Sequence, residues 1–369
     1  MTAIETRTLL AAVATYGLLG SMHVLPESPL TDAEFDGLLR GSVSQRLTGA
    51  LVGSIASDRL PATEAQSHRA SEEHFIALCH CLELESALLD VVGALDQEGI
   101  DCRVLKGSAT AHLDYVDPAQ RTFVDVDLLV RGEDFDRATM LMLSRGYSRL
   151  VAEVRPGFDR RFGKGCTLSS TAGYELDLHR TFVTGPFGLT VRLDDLWTDA
   201  TPWVLAGGRQ LHALGREQRL LHACYHAVLG DRTPRIVPQR DIASLILSDD
   251  LDEVRVRELA HGWRAEYVVA RAINMTWNTL ALADDTALTA WARRYQPDAR
   301  SEHAFATYYA KHANYAARSW ASLRALPNTR TRATFLYSLA FPQGGVIGGS
   351  PIPFTRRLIR AGQGLRGER

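Results

Sequence analysis

The chain has 369 residues, 46% of them hydrophobic, and a formal net charge of −2 at pH 7. This length and composition predict a globular protein of two or three structural units, and the near-neutral charge excludes a general field for nucleic acid, so that a nucleic-acid partner is not favoured. The five cysteines lack disulfide or zinc-site spacing, and neither a long apolar span nor a basic segment before the first apolar run is present, so we expect a cytoplasmic protein without a membrane partner.

Residues 1–98 are predicted to be a helical N-terminal region. The sequence Thr31-Asp32-Ala33-Glu34 is typical of a capping box, in which the first and last side chains cap each other's backbone N–H groups at a helix start. Apolar residues from Ile76 to Leu95 recur at helical spacing and stop before Gly99. Pro61 and the polar stretch from Thr63 to Ser71 predict a loop between these helices.

A strand, a turn and a helix are predicted next, where residues 99–182 form the expected core. The strand covers Cys102–Leu105, the turn is Lys106-Gly107-Ser108, and the helix covers Ala109–Tyr115. Such a turn presents backbone N–H groups at a helix N-terminus, and a glycine lets an anion approach the main chain. The turn therefore predicts a phosphate site, to which the Lys106 and Ser108 side chains add donors.

Two aspartates follow in a strand-like apolar run from Phe123 to Val130, before a helix predicted over Asp134–Arg145. Alternation along a strand sends Asp125 and Asp127 to the same face. Carboxylates on a buried strand are costly unless they have a partner, and two on one face can reach the same divalent cation. This pattern predicts a metal site.

A second alternating run, from Gly173 to Arg180, places Glu175, Asp177 and His179 on one strand face. Asp177 supplies a third carboxylate, although Glu175 shares its face. Three carboxylates from two strands suit Mg²⁺, with Mn²⁺ as an alternative, and Mg²⁺ commonly works as a pair of ions in phosphoryl transfer. The predicted chemistry is nucleotidyl transfer, with a nucleoside triphosphate such as ATP as substrate.

The order of these motifs resembles a largely uncharacterised bacterial nucleotidyltransferase family in the DNA polymerase β-like superfamily. The resemblance is carried by Leu105-Lys106-Gly107, Tyr115, Arg121, Asp125 to Val130, Arg145-Gly146-Tyr147, Asp177-Leu178-His179, Leu220 to Ala223 and Arg240 to Ala243. It implies an α+β fold, with a mixed sheet and flanking helices between helical N-terminal and C-terminal parts. It also implies that Asp125, Asp127 and Asp177 are catalytic metal ligands and that Gly107 and Ser108 hold nucleotide phosphates.

Two features depart from the superfamily pattern: the stretch between Ser108 and Asp125 is longer than usual, and Lys106 is not a hallmark. Lys106 and Arg121 are predicted to neutralise nucleotide phosphates. Each has an alternative, because Lys106 suits a solvated strand end and Arg121 suits an ion pair with Asp117 or Asp125.

Residues 183–369 are predicted to form a mainly helical C-terminal domain with a basic tail. His222 and His226 share a helix face that could bind zinc, but without an acidic partner a structural role is favoured. The glycine-rich stretch 344–350 lacks the strand and helix of a phosphate loop and is read as a linker, and the arginines from Arg356 onward as a frayed tail.

Three functions remain open at this stage. The favoured hypothesis is transfer of a nucleoside monophosphate to an oxygen of a small molecule or peptide, with release of pyrophosphate. The alternatives are a noncatalytic nucleotide- or peptide-binding protein and a toxin-like tRNA nucleotidyltransferase, which the basic tail alone supports. The sequence leaves the oligomeric state undetermined.

Overall fold

A computed structural model of the protein describes residues 3–205, 207–230, 233–283, 286–309 and 321–343. The helices fall before, between and after the strands. Their bounds are α1 Ala3–Ala14, α2 Asp32–Gln45, α3 Thr48–Ala56, α4 Glu64–Gln97, α5 Ser108–Asp114, α6 Phe135–Ser144, α7 Pro186–Thr190, α8 Arg216–Tyr225, α9 Ile236–Ile246, α10 Glu253–Gly262, α11 Glu266–Leu280, α12 Ala287–Arg294, α13 Ala299–Tyr309 and α14 Thr329–Ala340.

One seven-stranded mixed sheet lies among these helices in the described part of the chain. Its strands are β1 Cys102–Val104, β2 Val126–Val130, β3 Ser148–Arg149, β4 Gly165–Ser169, β5 Glu175–His179, β6 Ala200–Val204 and β7 Gln210–Leu214. They lie in the order β3-β4-β5-β2-β1-β7-β6. Strand β2 runs parallel to β5 and antiparallel to β1, and β1 runs parallel to β7. The α+β fold with a mixed sheet and flanking helices is confirmed.

Strand β2 lies in the middle of the sheet, and its residues on both sides of Asp127 are apolar. All five of its residues are buried, as expected for a strand that is covered on both faces. Asp125 lies just before the strand begins. The predicted helix after this strand is also present, as α6 (Phe135–Ser144).

Capping boxes start two of the long helices. The predicted box at Thr31 and Glu34 is confirmed at the start of α2. The predicted loop from Thr63 to Ser71 is wrong, since Thr63 caps α4 and Gln66 completes a second box. The polar composition of this stretch reflects its exposure at the start of α4, and the apolar face further along the helix stabilises it.

The hairpin of β6 and β7 extends the sheet past residue 182, into a region that we expected to be mainly helical. Gly207 and Gly208 have φ angles of +97° and +82°, which the turn between the strands requires. Pro202 lies in β6, at the edge of the sheet, where a missing N–H is tolerated. The division into residues 1–98, 99–182 and 183–369 stays a prediction.

Two hydrophobic cores cover the two faces of the sheet. One core joins the sheet to α4 and α6, through residues such as Leu88, Leu128 and Met142. The other brings α1 to α3 together with α8 to α12, through residues such as Phe35 and Ile273. The helices that precede the sheet in the sequence and those that follow it therefore share one core.

None of the described helices is both long enough and apolar enough to cross a membrane. The glycine-rich stretch 344–350 and the basic tail lie outside the described residues.

Candidate metal-binding active site

The parallel pairing of β2 and β5 places two carboxylates side by side. Asp127 and Asp177 are register partners across the two strands, so their side chains leave the same face. His179 follows Asp177 by two residues and shares that face, while Asp125 lies two residues before Asp127. Ligand atoms of Asp127, Asp177 and His179 lie within 4.8 Å of one another.

His179 connects the two aspartates of this face. Its Nε2 lies 2.9 Å from Oδ1 of Asp127 and 3.7 Å from Oδ2 of Asp177. Burial, together with the nearby Lys164 charge, lowers the pKa of His179 in spite of the carboxylates. The imidazole is therefore neutral, and since a carboxylate oxygen only accepts, Nε2 carries the proton and donates it to Asp127.

Lys106 lies between the first two aspartates. Its Nζ is 3.0 Å from Oδ2 of Asp125 and 2.9 Å from Oδ2 of Asp127. Burial alone would lower the pKa of Lys106, but the charges and hydrogen bonds of Asp127 and Asp125 outweigh it and raise the pKa. Lys106 is thus positively charged and largely buried between the two carboxylates, and it is not the solvated strand-end lysine of the alternative interpretation.

The charge of Asp127 is held by its partners. Burial would raise the pKa of this carboxyl, but the Lys106 charge and the hydrogen bond from His179 lower it well below its usual range. Asp177 is more open, with Thr167 donating to its Oδ1 at 2.5 Å and Nζ of Lys164 lying 3.6 Å from its Oδ2. The Asp127 carboxylate is therefore ionised near neutral pH.

The donors at this site fit a divalent cation. Oδ1 of Asp125 is buried and has no hydrogen-bond partner among the described residues, which costs free energy unless a ligand satisfies it. Carboxylate oxygens suit Mg²⁺, and an added imidazole is compatible with Mn²⁺. Asp127 and Asp177 could hold one ion, with Asp125 alongside Asp127, and His179 could join them through Nε2 once that nitrogen has given up its proton. His179 is a ligand candidate that we did not include in the predicted metal set.

The Gly107-Ser108 turn is present at the start of α5. Gly107 has a φ of +61°, and an added Cβ would lie 3.3 Å from the Phe123 ring. Ser108 is buried, and its hydroxyl donates to Oε1 of Glu85 at 2.7 Å, the same oxygen that His112 contacts at 2.8 Å. The Ser108 hydroxyl thus ties α5 to α4, and the phosphate-binding role of the turn stays a prediction that depends on its backbone.

Arg121 pairs with neither Asp117 nor Asp125. Its Nε and Nη2 donate to the two oxygens of Asp241 at 2.8 and 2.9 Å, and Tyr115 donates to Oδ1 of Asp241 at 2.7 Å. Arg121 is 4% exposed. This bidentate ion pair joins the segment before Asp125 to α9, so the contacts favour a structural role for Arg121. The nucleotide-binding role of Arg121 stays a prediction.

His222 and His226 line a small cavity that Lys106 and Arg121 also border. Burial lowers the pKa of His222 to about 3 and that of His226 well below its usual value. Among the described residues, the one group of three ligand-type side chains that converges is Asp127, Asp177 and His179. These contacts agree with the structural role favoured for the two histidines.

Arg46 is a basic residue near the site that was not among the predicted site residues. It ends α2 in the left-handed conformation, with φ 59° and ψ 40°. The Asp125 and Asp127 charges act on its guanidinium, although burial dominates and lowers its pKa. Its side chain makes no hydrogen bond or ion pair with the residues that the structure describes. No local motif marks such a residue, because only the packing of α2 brings it here.

Among solved structures, an antigenic nucleotidyltransferase-like protein from Paracoccidioides brasiliensis is similar to this chain at 19% sequence identity. The match covers 53% of this chain and 92% of that one, with a TM-score of 0.30. Among curated proteins, none matches the chain.

The family comparison covers most of the region described above. Residues 31–280 match the model of a family described as uncharacterised nucleotidyltransferase. The matched region runs from α2 to α11 and contains all seven strands, the three aspartates and the Arg121–Asp241 pair. This chain therefore belongs to that nucleotidyltransferase family.

Proposed function

We propose that the protein is a Mg²⁺-dependent enzyme that transfers a nucleoside monophosphate from a nucleoside triphosphate to an acceptor oxygen. The observation that carries this proposal is the register pairing of Asp127 with Asp177, with Asp125 beside them, in a member of a nucleotidyltransferase family. The orphaned oxygen of Asp125 adds support. Mn²⁺ is an alternative ion.

In the proposed reaction, a bond forms between the acceptor oxygen and the α-phosphorus. The bond from that phosphorus to the bridging oxygen of the β-phosphate breaks, and pyrophosphate leaves. Asp177 takes the acceptor proton, since it is more open than Asp127 and Thr167 already orients it. A bound Mg²⁺ would acidify the acceptor hydroxyl and neutralise developing charge.

The acceptor is proposed to be a small molecule or a peptide. With a net charge of −2, the chain offers no general attraction for nucleic acid. The five cysteines are free thiols, which agrees with the cytoplasm as the expected compartment. ATP is the first nucleotide to test.

The test is pyrophosphate release from each ribonucleoside triphosphate with Mg²⁺ and a pool of small molecules from host cells. We expect release by the wild type with one or more nucleotides, and background release by Asp125→Asn and Asp127→Asn. Asp250→Asn is the control, since its carboxylate is 81% exposed. Turnover retained in both site variants would overturn the assignment of the metal site.

One observation favours the second candidate, a noncatalytic nucleotide- or peptide-binding protein. Lys106 already supplies a positive charge to Asp125 and Asp127, as a metal would. Nucleotide binding without pyrophosphate release would support this candidate. The tRNA hypothesis rests on the basic tail, which lies outside the described residues.

A further inference from the structure

The Lys106 ammonium group bridges the two carboxylates at the start of β2. Its Nζ lies 2.9 to 3.0 Å from one oxygen of each. The Asp127 side chain is fully buried, and those of Lys106 and Asp125 are 17% and 20% exposed. Few water molecules can therefore screen the contact between these three groups.

A divalent cation that bridges Asp125 and Asp127 can use Oδ1 of Asp125, which has no hydrogen-bond partner among the described residues. On Asp127, however, the Oδ1 atom faces His179 at 2.9 Å and the Oδ2 atom faces Lys106. The ion therefore needs an oxygen of Asp127 that is already in contact, and Oδ2 is the one on the side of Asp125 that Lys106 holds. Mg²⁺ binds carboxylate oxygens at about 2.0–2.1 Å and tolerates little distortion of its octahedral shell. An ammonium group held by those oxygens blocks part of that shell and repels the ion at a distance of a few ångströms. The lysine and the ion therefore exclude each other at the shared oxygen.

We propose that Lys106 is a built-in competitor of the divalent cation, which has to displace the ammonium group from Asp125 and Asp127 in order to bind between them. This inference builds on the proposed function, because the displaced ammonium group becomes available to the triphosphate. Metal and nucleotide then favour each other's binding, since each stabilises the state in which Lys106 has left the carboxylates. The protein alone holds metal weakly.

The chain supplies a matched control in Lys164. Its Nζ lies 3.6 Å from Oδ2 of Asp177, and its side chain is 36% exposed. Substituting either lysine by methionine removes one positive charge near the same acidic cluster. Only Lys106 lies between two carboxylates. A general electrostatic effect would thus act in both variants, whereas competition for the shared oxygen would act in Lys106→Met alone.

The experiment is Mn²⁺ titration of the full chain without nucleotide, followed by electron paramagnetic resonance of the free ion. We expect Lys106→Met to bind Mn²⁺ about tenfold more tightly than the wild type, within the usual range of coupling between sites. Lys164→Met should change the affinity much less. Unchanged or weaker binding in Lys106→Met, or equal tightening in both variants, would overturn the proposal.

Two further measurements guard this conclusion. If Lys106→Met folds poorly, Lys106→Gln keeps a donor at this position, and its thermal midpoint should rise more with Mn²⁺ than that of the wild type.

A fluorescent nucleotide with saturating Mg²⁺ tests the second half of the proposal, the move of the ammonium group to the triphosphate. Binding weakened in Lys106→Met supports the move of the ammonium group to phosphate, and unchanged binding overturns it. Neither the Mn²⁺ titration nor nucleotide binding requires turnover, so they can fail separately from the proposed function.

Discussion

At the scale of single residues, Arg46 combines a strained backbone with a charge that has no ion-pair partner among the residues the structure describes. The left-handed conformation is unfavourable for residues other than glycine, and a half-buried guanidinium without a partner is costly. Gln45, its neighbour, accepts from the Ile236 N–H at 2.9 Å, and Gly49 lies against the backbone of Gln120. These two contacts fix Arg46 beside the site, where strain often accompanies function.

We predict that Arg46→Gly separates nucleotide binding from stability. Glycine adopts the left-handed conformation without strain, so the thermal midpoint should stay equal or rise. Loss of a charged donor to phosphate should weaken nucleotide binding about tenfold. The control is Arg40→Gln, because Arg40 is exposed and a glycine at this position would weaken α2. This variant should leave nucleotide binding unchanged. Unchanged nucleotide affinity in Arg46→Gly would show that Arg46 does not contact the nucleotide.

The buried His222 leads to a prediction about how the stability of the protein depends on pH. It lies against Phe182 at a ring distance of 4.6 Å, and burial lowers its pKa to about 3. Below about pH 6.5 His222 takes up a proton in the unfolded chain but not in the folded protein. His222 therefore lowers the free energy of unfolding more and more as the pH falls toward 3. At pH 5 this contribution is about 2 kcal/mol.

Denaturant unfolding at pH 7.5 and pH 5 measures this effect. His222→Gln should lose less stability than the wild type between the two pH values. His68→Gln is the control, because the His68 side chain is 72% exposed, and it should lose as much as the wild type. An equal loss in His222→Gln and the wild type would contradict the buried neutral histidine.

At the scale of elements, the Arg121–Asp241 pair joins the segment before β2 to α9. Arg240, next to Asp241, adds to the same joint, with Nη1 2.7 Å from the Ala14 carbonyl oxygen and Nη2 2.9 Å from Oε1 of Gln120. Helix α9 therefore meets both the N-terminal helices and the site segment. Any displacement of α9 would move the chain that leads into Asp125.

We predict that Asp241→Ala destabilises the protein by about 3–5 kcal/mol, because it leaves the buried Arg121 charge without its partner. The double variant Arg121→Met/Asp241→Leu should recover much of the loss, since it removes both charges. Chemical denaturation measures both, with the exposed Asp250→Ala as control. A loss below about 1 kcal/mol, as exposed ion pairs show, would contradict the buried pair.

The elements differ in how well the sequence predicts them. Helix α2 was predictable because Thr31 and Glu34 form a local capping box. The strand that carries Asp127 was predictable because alternation is local too, but it begins only at Val126, and Asp125, which was expected on the strand, lies in the bend before it.

The start of α4 was equally marked by Thr63 and Gln66, but Pro61 and the polar surface suggested a loop. The hairpin at Gly207-Gly208 carried a turn signal between two short runs, which we missed.

The site residues divide in the same way. Asp127 and Asp177 face each other as expected because strand alternation fixes their direction, although only pairing in the folded sheet sets their register. The partner of Arg121 lies 120 positions away at Asp241, and Arg46 approaches through helix packing. Contacts that distant in sequence leave no local pattern, so sequence reasoning could not name them.

At the scale of the whole molecule, the site lies where the sheet meets helices from both ends of the chain. Helices α1 to α3 share a core with α8 to α12, and the family match from residue 31 to 280 includes parts of both groups. Arg46 from one group and Asp241 from the other thus act on the segment around Asp125. The site depends on the assembly of all three regions.

We propose nucleotidyl transfer at the site of Asp125, Asp127 and Asp177. The most direct measurement incubates the purified wild type with ATP labelled at the α-phosphate or at the γ-phosphate, Mg²⁺ and a small-molecule pool from host cells. We predict that the α-label appears on an acceptor, that the γ-label leaves as pyrophosphate, and that Asp127→Asn abolishes both. If another nucleotide supports pyrophosphate release better, it replaces ATP. Transfer of the γ-label to an acceptor, or undiminished α-label transfer by Asp127→Asn, would contradict the claim.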